Sequence, residues 1–110
     1  MKQKKNYLDF VPKKNPAFRW ELDDDGMVVI LIENKGIYNR IAQKLLKKPR
    51  VSRITLEKFG SFIWRQIDGT RSVYEISGLV SEEFGEEAEP LIERLVKYLR
   101  ILQNNRFILF

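Results

Sequence analysis

Whatever chemistry this chain performs is done without histidine and without cysteine, because its 110 residues contain neither. The first absence removes the usual near-neutral general base and the commonest metal ligand. The second removes thiolate nucleophiles, thiolate metal sites and any disulfide scaffold. Aspartate, glutamate, serine and lysine remain, but no two of them stand at a spacing that singles out an acid–base or nucleophile–base pair. The densest acidic run, Asp23-Asp24-Asp25-Gly26, lacks the alternating Asp-x-Asp-x-Asp-Gly order and the downstream bidentate glutamate of a calcium loop. It reads as a hairpin tip. No catalytic residue, metal ligand or cofactor site is therefore assigned, and the expectation is a protein that is not an enzyme.

The residues best suited to recognition lie near the C-terminus. At about 100° per residue, Leu91, Ile92, Leu95, Val96, Tyr98, Leu99, Ile101 and Leu102 sweep an arc of about 220° around one helix. A helix that covers one side of one core needs little more than about 100° of apolar surface. The excess should face something beyond that core. One flank carries Arg94, Tyr98 and Ile101, and the other carries Ile92 and Val96. Trp20 and Trp64 sit at strand and helix spacing and read as core, whereas Tyr74 reads as a half-exposed surface tyrosine.

The elements that must position these residues follow from periodicity. Residues 18–22 alternate apolar and polar, as a half-buried strand does. Asp25-Gly26 turns the chain. Residues 27–32 are apolar throughout and β-branched at four positions, the pattern of a strand covered on both faces. Apolar residues at helical spacing then recur over 37–48 until Pro49 stops them. Residues 51–56 alternate again as a third strand. A helix starting near Glu57, with Thr55 as its cap, buries Phe59, Phe62, Ile63 and Ile67 on one face and ends at Asp68-Gly69. Ser72-Val73-Tyr74-Glu75 is a capping box that opens a second helix, closed by Gly85. The third helix is expected over about 87–103, with Pro90 in its first turn. Residues 106–110 are β-prone and suit a last edge strand. Strands followed by a run of helices give an α+β class, a small antiparallel three-stranded sheet on a three-helix bundle.

The length suits one domain with a single modest core. We read residues 1–15 as an extended arm, ordered only if its apolar patch (Tyr7, Leu8, Phe10, Val11) docks, and residues 16–110 as the domain. The net charge of +5 is uneven: residues 1–16 hold five lysines and one aspartate, and residues 35–58 hold eight basic residues and one glutamate. Such a basic face can steer an acidic partner. No apolar run approaches the ~20 residues of a membrane helix, and no apolar stretch follows the basic N-terminus as in a secretory signal. A cytoplasmic location is expected.

The run Asp68-Gly69-Thr70-Arg71-Ser72-Val73-Tyr74-Glu75-Ile76 brings these elements into a known register. Ile54-Thr55-Leu56-Glu57-Lys58-Phe59-Gly60-Ser61-Phe62-Ile63-Trp64 precedes it, and Phe84-Gly85 and the long periodic helix follow. Together, over about residues 15–108, they resemble the PqqD family of small peptide-binding domains. The resemblance implies a winged-helix-like fold, with the helical segment 37–48 inserted between the second and third strands. It also implies a function: capturing the leader of a ribosomally made precursor peptide and presenting it to a maturation enzyme of the radical SAM type. In such domains the peptide adds as a strand along the edge of the third strand and drops side chains into a groove against the third helix. Carried onto this chain, the edge is Ser52, Arg53, Ile54 and Thr55, and the helix flank is Arg94, Tyr98 and Ile101. Arg53 and Arg94 would pair with acidic side chains of the leader.

Two other readings compete. A winged-helix nucleic-acid-binding protein is favoured by the basic segment and by a pI near 9.6. It is disfavoured by Glu86, Glu87, Glu89 and Glu93 at the start of the best-placed helix, where phosphates would be repelled. A homodimer that exchanges its arm or its 106–110 strand is compatible with peptide binding.

Overall fold

The computed structural model describes residues 6–33 and 51–110. The expected helical segment 37–48 lies outside the described residues. Three strands form an antiparallel sheet in the order β2 (Arg19–Leu22), β3 (Val28–Glu33), β4 (Val51–Thr55). Three helices follow: α1 (Lys58–Gln66), α2 (Val73–Phe84) and α3 (Leu91–Asn104). A second, two-stranded ladder joins β1 (Lys13–Lys14) to β5 (Ile108–Leu109), tying the two ends of the chain together. The class is α+β, as the periodicities require.

Register explains which side of the sheet is covered. Trp20, Ile30 and Ile54 stand in one cross-strand row, and Arg19, Leu31 and Arg53 in the next. Because successive side chains point to opposite faces, the first row shares its face with Val28 and the second does not. Val28 and Ile30 are fully buried in a core completed by Ile63 and Trp64 of α1, Val73, Ile76 and Val80 of α2, and Leu95, Leu99 and Leu102 of α3. Trp20 meets Trp64 edge to face at 6.0 Å. On the other face Arg53 pairs with Glu21 at 2.8 Å and Arg19 with Glu33 at 3.2 Å.

The local signals act through identifiable bonds. Asp23 Oδ1 accepts from the N–H groups of Asp25 and Met27 and so shapes the acidic turn. The capping box of α2 is present in both directions, Ser72 accepting from Glu75 and Glu75 from Ser72. Gly85 ends α2 with φ +55° and donates its N–H to Ser81, a conformation that a β-carbon would strain. Two helix starts differ from expectation. Glu57, not Thr55, caps α1, accepting from Gly60 N–H at 2.9 Å, because Thr55 remains in the ladder opposite Val29. Helix α3 begins at Leu91, because a residue preceding proline is pushed towards extended backbone. Glu89 accordingly sits at φ −72°, ψ 141°, after a separate 3-10 turn, Gly85–Ala88.

The N-terminal arm packs on the domain. Its 3-10 turn, Tyr7–Asp9, and Phe10 lie against the core, with Tyr7 and Phe10 ringing Phe110 at 5.3 and 5.6 Å. Phe10 carbonyl accepts from the N–H of Val73.

Candidate peptide groove

The last residues of β4 run through buried Leu56 directly into Glu57, the cap of α1, and there the chain meets α3. Phe59, the second residue of α1, presents its ring to α3. Tyr98 packs on it edge to face at 6.2 Å, and the Arg94 guanidinium lies 4.4 Å over its centroid. The closeness of α1 and α3 here rests on Gly60. A β-carbon at that position would lie 1.7 Å from the Tyr98 hydroxyl and 2.2 Å from Cζ, so only glycine lets the tyrosine lie across the helix. The result is an open groove of about 290 Å³ lined by Glu57, Phe59, Arg94, Lys97, Tyr98 and Ile101.

Its floor is aromatic and aliphatic and its rim is charged. Arg94 is anchored by donating Nη1 to the Glu87 carbonyl at 2.5 Å, so its guanidinium is held in place and not free to sweep. Ile101 is 48% exposed, apolar surface that the domain itself does not cover. Burial pushes the Tyr98 hydroxyl well above the ordinary tyrosine range, and the Glu57 carboxylate pushes it further the same way. Tyr98 therefore stays a neutral hydrogen-bonding group at any physiological pH. The arrangement can hold an extended backbone, an apolar side chain on the floor and a carboxylate at the rim.

Of the residues expected from sequence, Arg94, Tyr98 and Ile101 are brought together in this groove. On β4, Ile54 lies in the row that faces the helices and is 38% exposed. Ser52, half-buried, shares that face two residues earlier, and Thr55 leads into Glu57. The side chain of Arg53 takes the opposite face, where Glu21 holds it. Glu57, Phe59 and Lys97 line the groove without having been picked out in the sequence. Lys97 had a signal, since it is three residues after Arg94 and four before Ile101 and so shares their side of α3. The ring of Phe59 had none, because its helical stripe reads as ordinary core.

The opposite flank of α3 is used differently. Arg100 lies 5.2 Å over the Tyr7 ring, beside the aromatic cluster of the arm. The arm meets that flank at Arg100 and leaves Ile92 41% exposed, and Ile92, Val96, Arg100 and Ile101 line a second, larger open groove of about 560 Å³. Among the described residues no cluster of histidine, cysteine, aspartate or glutamate could hold a metal ion, and no helix is long and apolar enough to cross a membrane.

A strand edge leading into an apolar, cation-rimmed groove on a small α+β module is a shape suited to binding. The chain matches the family of coenzyme PQQ synthesis protein D (PqqD) over residues 28–108, most of its length, and belongs to that family. No curated protein and no solved structure matches it significantly.

Proposed function

We propose that this protein is a non-catalytic peptide-binding module that captures the leader of a ribosomally made precursor as an added strand on β4 and presents it to a modifying enzyme of the radical SAM type. The observation that carries the reading is the continuity of β4 with the groove. Among the described residues β4 has a strand neighbour on one side only, and it runs straight into the residues that face α3. A peptide extended along Arg53, Ile54 and Thr55 would gain main-chain hydrogen bonds from the edge and selectivity from alternate side chains reaching towards Phe59 and Tyr98. Membership of a coenzyme-synthesis family supports an accessory role in peptide maturation. Arg94 and Lys97 supply the positive rim for an acidic residue of the leader. Arg53 contributes its backbone, its side chain being engaged with Glu21.

The test is a titration with precursor peptides encoded beside the gene, followed by amide resonances. Saturable binding should move and protect the amides of Arg53 to Thr55 and shift Phe59 and Tyr98. Arg94→Ala should weaken binding roughly tenfold through loss of a charge-assisted contact. No saturable binding by any such peptide, or protection confined to other strands, would sink the reading. The acidic turn before α3, with Glu86, Glu87 and Glu89 all exposed, gives the nucleic-acid reading no comparable foothold.

A further inference from the structure

The other border of the sheet is also open. Among the described residues β2 has a single strand neighbour, β3, and its whole length is exposed. Two of its four residues are large and apolar, Trp20 at 38% and Leu22 at 50% exposure. An exposed border with apolar side chains and no proline or bulge is a template for another strand, and natural sheets normally blunt such borders unless they use them.

We propose that β2 pairs antiparallel with β2 of a second copy about a two-fold axis through Trp20. The sequence of the strand selects both the occupant and the register. In an isologous antiparallel pair the axis passes through one residue, which then faces its own copy. An axis through Arg19 sets arginine against arginine, and one through Glu21 sets glutamate against glutamate. An axis through Leu22 sets Glu21 against the partner's Asp23. Like charges directly opposite are destabilising. Of these, only the axis through Trp20 matches opposite signs without also setting like charges against each other: Arg19 faces the partner's Glu21, and Glu21 faces the partner's Arg19. On the same sheet face Arg53 already pairs with Glu21 and Arg19 with Glu33. The dimer joins these into two alternating rows, Arg53, Glu21, the partner's Arg19 and the partner's Glu33. On the other face Trp20 meets the partner's Trp20, a favourable cross-strand aromatic pair, and Leu22 lies beside the partner's Phe18. The product is a continuous six-stranded sheet with β4 at each end. Both grooves stay accessible, and the pairing holds whether or not β4 takes a peptide.

Sedimentation equilibrium of the full chain over a concentration series tests this, with deuterium exchange at the amides of residues 19–22 at the two ends of the series. The expected result is a monomer–dimer equilibrium with those amides more protected at high concentration. Arg19→Glu and Glu21→Arg should each lower the association constant by about tenfold or more, since two opposite-charge pairs become like-charge pairs. The double reversal, R19E with E21R, should restore it. Far-UV circular dichroism verifies that each variant is folded. Exchange on the unmodified protein decides the question if a variant is not. A chain that stays monomeric throughout, a dimer indifferent to the single reversals, failure of the double reversal to rescue, or amides 19–22 unchanged with concentration would each overturn the proposal.

Discussion

Gly60 and Tyr98 form one unit at the residue scale. The tyrosine lies where a β-carbon of residue 60 would be, so Gly60→Ala must push its ring out of the groove. Overpacking of this kind costs roughly 1–3 kcal/mol. In a Tyr98→Ala background the same substitution should cost far less, and urea denaturation of the two singles and the double measures that coupling. If the costs simply add, the ring is not held by the glycine. Asp68 gives a second prediction. Its carboxylate accepts from the backbone N–H of Arg71 and of Thr70 and from the Thr70 hydroxyl, with the Arg71 guanidinium 3.3 Å away. These hold its pKa down at about 2. A depressed carboxylate contributes stability that is complete above its unfolded pKa of about 4 and lost as pH falls through the folded value. The amide shifts of Thr70 and Arg71 should therefore titrate together near pH 2 and stay flat through pH 4. Asp68→Asn should abolish that transition.

At the scale of elements, one serine joins sheet and helix. Ser61, 1% exposed, accepts from Val28 N–H at 2.9 Å and donates to the Leu56 carbonyl at 2.8 Å, so β3, the end of β4 and α1 share a single hydroxyl. Leu56 N–H returns to the Val28 carbonyl at 2.8 Å. Ser61→Ala leaves a buried strand N–H without its acceptor, which costs about 1–3 kcal/mol. A fall in the denaturation midpoint should be accompanied by faster exchange of the Val28 amide. Ser72→Ala at the α2 cap is expected to cost about 1 kcal/mol without disturbing Val28, because its bonds are local.

For the whole molecule, the arm is the decisive segment. Lys14 Nζ lies 5.2 Å and 5.6 Å from the centroids of Trp20 and Trp64 and donates to the Ile67 carbonyl at 2.5 Å. Burial draws its pKa below the usual lysine range, partly opposed by the charge of Asp68. With Tyr7, Leu8 and Phe10 against the core and β1 laddered to β5, residues 6–14 behave as part of the fold. Deleting residues 1–12 should cost more than about 2 kcal/mol, the burial of at least one large apolar side chain. The measurement is the denaturant midpoint of the truncated chain. An unchanged midpoint would mean that the arm only rests on the surface.

Much of this was legible in the residues. Alternation over 18–22 and 51–56, the Asp-Gly turn, the Ser72–Glu75 box and the stripe of α3 depend on neighbours within a few positions, and such local rules set strands, caps and helix faces wherever the chain is met. They also carried the family resemblance, which rests on a contiguous run. What tertiary structure alone decided was orientation across distant elements. Register assigned Arg53 to the face of Glu21, through a pairing with β3 that no local spacing encodes. The packing of α1 on α3 made Phe59 and Glu57 into walls of the same groove as Arg94. The docking of the arm set Tyr7 over Arg100 on the far flank of α3, a contact worth nothing until the chain between them has been folded to bring them together.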